Sequence, residues 1–241
     1  MKLLPIMILG IGCSTVSADV PSPGKQVEQE LKVSDEQTVP YLVFLPDDYG
    51  KDDKKWPMIF FLHGRGESNG PLSLVAKWGP PRMAARGDKL PYVVVSPQCP
   101  RDESWPQPRQ QAGLLALLEH VTETLQVDTQ RVYLTGLSMG GYGSWRLAAD
   151  QPHRFAAVAP VCGGGKPEDA DKLKDLPIWV FHGDQDKAVP LSRSQEMVDA
   201  IRAAGGTQLR FTTMEFVGHN CWSATYATPG LYDWFDQHRR K

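Results

Sequence analysis

The sequence predicts an α/β protein with a mainly parallel sheet and helices on both faces. Three observations carry that expectation. Apolar runs rich in β-branched and aromatic residues recur along the chain, notably Trp56 to Leu62, Tyr92 to Ser96 and Phe155 to Val161. Their continuity marks strands buried on both faces, as a parallel sheet requires. Helix-competent segments separate these runs, and the alternation supplies the crossovers that parallel strands need. Finally, glycine-rich turns follow several runs, at His63-Gly64-Arg65-Gly66, Gly140-Gly141, Gly163-Gly164-Gly165 and His182-Gly183.

In chain order, Met1-Lys2 opens a short apolar run from Leu3 to Ile11, and Val16-Ser17-Ala18 supplies small residues suited to a signal peptidase. Residues 1–18 therefore read as a signal peptide and 19–241 as a single domain, with Asp19 as the first mature residue. The run is too short to span a bilayer. A lipoprotein signal acylated at Cys13 is the competing reading, but Gly10 stands three residues before it where leucine is usual. Both readings place the mature protein outside the cytoplasm, secreted or periplasmic.

Val20 to Glu36 reads as a leader and an edge strand, and Val39 to Pro46 as a strand closed by turn residues at Asp47 to Gly50. The Trp56 to Leu62 strand ends in the glycine loop His63 to Gly70. A Pro- and Gly-rich connection with one possible helix leads to the Tyr92 to Ser96 strand, and Pro97 to Pro106 is an irregular loop. Gln110 to Leu125 is a helix with Leu114, Leu117, Leu118, Val121 and Leu125 on one face. Arg131 to Leu137 is a strand running into a turn and a further helix. Next come strands at Phe155 to Val161 and Pro177 to Phe181. A helix from Ser192 to Ala204 is closed by Gly205-Gly206. The last strand is Leu209 to Phe216, and Leu231 to Gln237 is a terminal helix. Arg239-Arg240-Lys241 reads as a frayed, solvated end.

Composition narrows the class. A hydrophobic fraction of 41% and a charged fraction of 22% are those of a soluble globular protein. The formal net charge of -2 gives no reason to expect a nucleic-acid surface. Loss of Cys13 with the signal leaves Cys99, Cys162 and Cys221, an odd number and too few for a disulfide scaffold. A disulfide near the site, between Cys162 and Cys221 or with Cys99, is an open expectation.

The chemistry centres on Gly136-Leu137-Ser138-Met139-Gly140, a Gly-x-Ser-x-Gly sequence between a strand and a helix. Such a turn lifts a serine hydroxyl clear of the sheet at a helix N-terminus, where developing negative charge is favoured. Gly136 and Gly140 stand where a β-carbon would strike the neighbouring strand or helix. Serine needs a base oriented by a carboxylate. Of six histidines, His120 and His238 read as surface residues. His153 lies at the wrong end of the strands, and His63 and His182 open His-Gly turns that hold loops locally. His219, after the last strand, is the expected base. The acid follows the preceding strand, with Asp186 in the usual place and Asp184 the alternative, more simply a carboxylate bonding loop amides. The amides of Met139 and Arg65 are the expected oxyanion donors.

Taken together, His63-Gly64-Arg65-Gly66-Glu67, the elbow, His182-Gly183-Asp184-Gln185-Asp186 and Gly218-His219-Asn220 resemble the α/β-hydrolase superfamily. Within it the chain is similar to secreted bacterial carboxylesterases of the polyhydroxybutyrate-depolymerase and feruloyl-esterase type, often grouped with prolyl-oligopeptidase-like or dienelactone-hydrolase-like domains. The resemblance covers nearly the whole mature chain. It implies an α/β-hydrolase fold and a serine esterase that passes through an acyl-enzyme. Ser138, Asp186 and His219 match its triad, Arg65 and Met139 its oxyanion donors. No insertion long enough for a large lid is present, and no polymer-binding module.

Trp105, Trp222 and Tyr226 are candidate substrate-binding residues or, equally, loop anchors. The expected partner is a small-molecule or oligomeric ester, with no cofactor and no metal, since no zinc-ligand spacing and no His-Glu-x-x-His occurs. The alternatives are a peptidase acting on short peptides and a non-catalytic binding protein on a hydrolase fold.

Overall fold

The computed structural model describes residues 21–68 and 70–240. The expected signal peptide, with Cys13, lies outside them. Among the described residues the strands are β1 Gln26–Lys32, β2 Thr38–Phe44, β3 Trp56–Leu62, β4 Val93–Pro97, β5 Val127–Leu137, β6 Ala157–Val161, β7 Ile178–Gly183 and β8 Leu209–Met214. The helices are α1 Gly79–Ala85, α2 Pro108–Thr124, α3 Met139–Asp150, α4 Ala170–Leu173, α5 Ser192–Ala203, α6 Trp222–Ala227 and α7 Pro229–Asp236.

The strands form one sheet in the order β1-β2-β4-β3-β5-β6-β7-β8. β1 pairs antiparallel with β2, and β2 antiparallel with β4; every other pairing is parallel. The expected mainly parallel sheet is present, with an antiparallel pair at one edge. β1 forms that edge and turns Glu28, Glu30 and Lys32 to solvent, charges that discourage a further strand from adding there.

Strand β3 shows why the apolar runs are continuous. Every residue from Trp56 to Leu62 is buried. Side chains alternate between faces, so Met58, Phe60 and Leu62 pack with Leu114, Leu117 and Trp145 of α2 and α3. Ile59 and Phe61 pack on the other face with Ala84, Tyr226, Trp234 and Phe235 of α1, α6 and α7. Each fully buried side chain of this kind contributes about 1.5–3 kcal/mol relative to an exposed one, which fixes the register of the central strands.

Some boundaries differ from the expectation. β5 begins at Val127 rather than Arg131, because the Trp56 amide donates to Gln126 O at 2.7 Å and draws the chain into register early. α4 and α6 were not expected; both are too short for a periodic apolar face. The C-terminal end is not frayed at Arg239 and Arg240. The Arg240 amide donates to Gln130 O at 2.8 Å, and Arg239 pairs with Asp128 at 3.3 Å. No large lid is present among the described residues, and no described helix is long and apolar enough to cross a membrane.

Candidate active site

The residues singled out in the sequence converge where the parallel strands end. Ser138 follows β5, the Arg65 loop follows β3, Cys162 follows β6, Asp186 follows β7 and His219 follows β8. Loops at the C-terminal ends of parallel strands are where this architecture places ligands.

Ser138 sits at the elbow with φ 53° and ψ -115°, backbone that an L-residue adopts only when its surroundings hold it there. The Ser138 amide donates to Val161 O at 2.9 Å, and the Tyr142 amide donates to Ser138 O at 3.1 Å. A β-carbon on Gly140 would stand 1.9 Å from Leu62 O, and one on Gly136 2.5 Å from Gly140 O. The tight turn therefore depends on both glycines, as expected.

His219 Nε2 lies 2.9 Å from Ser138 Oγ, and His219 Nδ1 lies 2.6 Å from Asp186 Oδ2. A carboxylate oxygen only accepts, so Nδ1 carries the proton and Nε2 is free to accept from the serine hydroxyl. Asp186 Oδ1 in turn accepts from the amides of Ala188 and Val189, both at 2.9 Å. The amide-bonding role expected of Asp184 belongs to Asp186 itself. The Asp184 amide donates to Met214 O at 3.1 Å, while its Oδ1 is buried without a partner among the described residues.

Arg65 and Met139 each open a helical segment, Arg65–Glu67 and α3. At that position an N–H has no intrahelical acceptor, and neither amide donates to a protein acceptor among the described residues. Two free donors thus flank the elbow. The Arg65 loop is held from three sides. Its guanidinium donates to Arg101 O at 3.2 Å and Glu103 O at 2.6 Å. Glu67 Oε2 accepts from the Gly64 amide at 3.0 Å, and burial pushes the Glu67 carboxyl up. His63 closes the base of the loop.

His63 is buried; its Nδ1 donates to Gly64 O at 2.6 Å and its Nε2 accepts from the Cys99 amide at 2.9 Å. Burial pushes its pKa down to about 4 from an ordinary 6.5. Between those values the unfolded chain takes up a proton that the folded chain refuses. Stability from this group is therefore present above about pH 6.5 and is lost as pH falls toward about 4. Lowering pH from about 7 to about 5 is expected to remove about 2 kcal/mol through His63. Urea midpoints at the two pH values measure it; a His63→Gln variant with an undiminished pH slope would dismiss this source.

The aromatic candidates divide. Trp105 is fully buried; its indole donates to His63 O at 3.0 Å and its ring meets His63 edge-on. It anchors a loop and does not line a substrate surface. Tyr226 is also a core residue, its hydroxyl 2.9 Å from Thr135 Oγ1 beneath β5. Trp222 does stand at the site, with its ring centroid 5.1 Å from that of His219. It stacks edge-on with Trp78 at 5.9 Å. Sequence reading missed Trp78, which carries no motif, and only the packing of α1, at whose N-terminus it stands, against α6 brings it there.

All three described cysteines are free and buried. Burial, and after it the neighbouring Cys221 thiol, push the Cys162 thiol up. Cys99 lies with the opposite core layer beside His63, which removes it as a partner for either. Cys162, Asp186 and His219 bring ligating atoms within 4.8 Å of one another. Both imidazole nitrogens of His219 are engaged by Asp186 and Ser138, so this cluster offers a metal no ring lone pair.

Several cavities lie outside this constellation. One of 680 Å³, lined by His153, Phe155, Lys172, Pro177 and His238, is at the opposite end of the strands. Another of 150 Å³ runs beside α3, lined by Tyr142, Trp145, Gly164, Gly165 and Met197, and begins one helical turn past Ser138.

Comparison with known proteins agrees with the fold. Residues 91–220 match the dienelactone hydrolase family. Feruloyl esterase C of Emericella nidulans is 28% identical over 215 residues, covering 86% of this chain and 77% of that protein. A poly(3-hydroxyoctanoate) depolymerase of Pseudomonas fluorescens is 30% identical over 169 residues, 61% of this chain and 59% of that one. Among solved structures, a thermostable esterase superposes with a TM-score of 0.78 at 30% identity, covering 91% of this chain; this chain spans 64% of its length. A ferulic acid esterase shares the fold with a TM-score of 0.67 at 22% identity, covering 88% of this chain and 96% of the other. The chain therefore belongs to the dienelactone hydrolase family, and is a carboxylic ester hydrolase on an α/β-hydrolase fold.

Proposed function

We propose that the protein is an exported serine esterase that cleaves small carboxylic esters through an acyl-enzyme at Ser138. The observation that carries this reading is the continuous line Ser138 Oγ, His219, Asp186, with spacings of 2.9 and 2.6 Å. His219 Nε2 takes the proton as Ser138 Oγ attacks the ester carbonyl. Asp186 keeps the ring in the required tautomer and stabilises the imidazolium. The Arg65 and Met139 amides receive the oxyanion. His219 returns the proton to the departing alcohol, and water repeats the sequence to release the acid.

Two features support a small ester. The 150 Å³ cleft beside α3 holds about five waters at roughly 30 Å³ each, room for a short acyl chain or a single ring. Trp222 and Trp78 provide an aromatic wall at the His219 side for the second half of the substrate. Export rests on the N-terminal signal of the sequence.

The experiment is hydrolysis of p-nitrophenyl esters from acetate to decanoate, together with a ferulate ester, by the chain from Asp19 onward. Highest kcat/KM on short acyl chains or on the ferulate is expected. A folded protein inactive on every ester sinks the reading, and a decanoate optimum sinks the assignment of the cleft.

A further inference from the structure

His182 was expected to hold its own turn. Its surroundings give it more to do. The imidazole and the Asp186 carboxylate are both fully buried, and His182 Nε2 lies 3.2 Å from Asp186 Oδ2, the oxygen that also receives His219. Nε2 lies 2.9 Å from Val189 O as well, and Nδ1 lies 2.8 Å from Ser194 Oγ. Ser194 Oγ is in turn 3.0 Å from Gly163 O.

Proton counting settles one side of the ring. Val189 O and Asp186 Oδ2 are acceptors, so Nε2 must carry a proton to satisfy either. The Nε2–H therefore donates to Val189 O, the carbonyl of the loop whose amides hold Asp186 Oδ1, and the same ring edge stands 3.2 Å from Asp186 Oδ2. On the other side, the single Ser194 hydroxyl proton faces both Gly163 O and Nδ1. Through these contacts the ring ties the end of β7 to the start of α5 and to the chain leaving β6.

We propose that His182 is a positioning residue for ester hydrolysis: a second imidazole beside Asp186 Oδ2 that holds the acid loop through Val189, fixes the aim of the carboxylate and offsets part of its charge, limiting its pull on His219. The inference rests on Ser138, His219 and Asp186 acting as proposed above. A buried carboxylate needs its lone pairs occupied; Asp186 accepts two amides on Oδ1 and His219 on Oδ2, and the N–H edge of His182 stands 3.2 Å from the same Oδ2. Removing the His182 donor leaves more charge on Oδ2 for the imidazolium of His219. Besides Asp186 and His219, the titratable groups near this cluster include Cys162, Cys221 and Tyr142, Asp184 and Lys187 in the same loop, and Arg193 and Glu196 at its edge.

Two amide substitutions separate aim from mere packing. Glutamine places its nitrogen where Nε2 stands and asparagine where Nδ1 stands. His182→Gln keeps the donor to Val189 O beside Asp186, whereas His182→Asn loses it and retains only the Ser194 contact. With p-nitrophenyl acetate at about pH 5 to 9, His182→Gln is expected to keep kcat within about threefold and the acid limb of its profile unmoved. His182→Asn is expected to lose about tenfold or more in kcat at nearly constant KM, with its acid limb shifted to higher pH. Ser194→Ala, which loosens the ring without removing it, is expected to lose about three- to tenfold with a shift in the same direction. It serves if neither His182 variant folds. Equal losses in the Gln and Asn variants, or losses with no movement of the acid limb in Asn or Ser194→Ala, overturn the proposal. An unaltered protein without ester turnover, or with turnover that survives Ser138→Ala, overturns the parent reading instead.

Discussion

Ser138→Ala is expected to lower kcat for ester hydrolysis by about four orders of magnitude or more, while circular dichroism and chromatographic behaviour stay those of the unaltered protein. The size follows from losing the nucleophile while the oxyanion amides and the cleft remain, which leaves only the residual rate such a site gives with water. Folding survives because Ser138 Oγ has His219 as its hydrogen-bond partner and is not a core group. A sharper version uses glycine. The elbow holds Ser138 at φ 53°, which costs an L-residue about 1–3 kcal/mol. Glycine avoids that cost and gives back about 0.5–1 kcal/mol in chain entropy. Ser138→Gly should therefore be as inactive as Ser138→Ala yet melt higher, by roughly 2–4 °C for each kcal/mol gained. Equal melting temperatures would mean the elbow is not strained. Substantial turnover by either variant would mean that Ser138 is not the nucleophile.

Gly140→Ala is expected to destabilise the protein by at least about 4 kcal/mol, or to prevent its accumulation in folded form. The added carbon would meet Leu62 O at 1.9 Å and His63 O at 2.8 Å. Both are backbone atoms, one in β3 and one in the loop that carries Arg65, so no side chain can turn aside. Relief requires α3 to move away from β3, which pulls Ser138 from its place. Gly66→Ala is the control. It lies in the Arg65 loop, but its β-carbon would meet nothing within 4 Å, and its stability should change by no more than about 0.5 kcal/mol. Denaturant unfolding of the two variants measures the difference, and comparable midpoints would refute the close approach of α3 to β3.

Much of the fold was legible because its determinants are local or periodic. β3 was read with its observed limits, since an unbroken apolar run bounded by turn residues has few other uses in a soluble chain. Asp186 and His219 were reached by chain order and by eliminating other residues of their type. Their meeting at 2.6 Å needs β7 and β8 side by side, which the order of motifs implies. α6 was not legible, because six residues do not establish a helical period.

The aromatic residues mark the boundary between sequence and structure. Trp105, Trp222 and Tyr226 look alike in sequence, each on or beside a loop near the site. Only packing separates them. Trp105 is drawn under His63 and Tyr226 under Thr135, while Trp222 stays beside His219, paired with a Trp78 that no motif announces. The same holds for His182, whose place on Asp186 depends on Val189, Ser194 and Gly163 arriving from three separate segments. The sequence by itself determined the alternation of strands and helices, the elbow and the candidates proposed as reactive groups, because backbone geometry and side-chain chemistry are written residue by residue. Tertiary structure alone decided which aromatic rings stand beside His219 and which buried groups surround Asp186. Those outcomes depend on distances between segments far apart in the chain, and no local pattern encodes them.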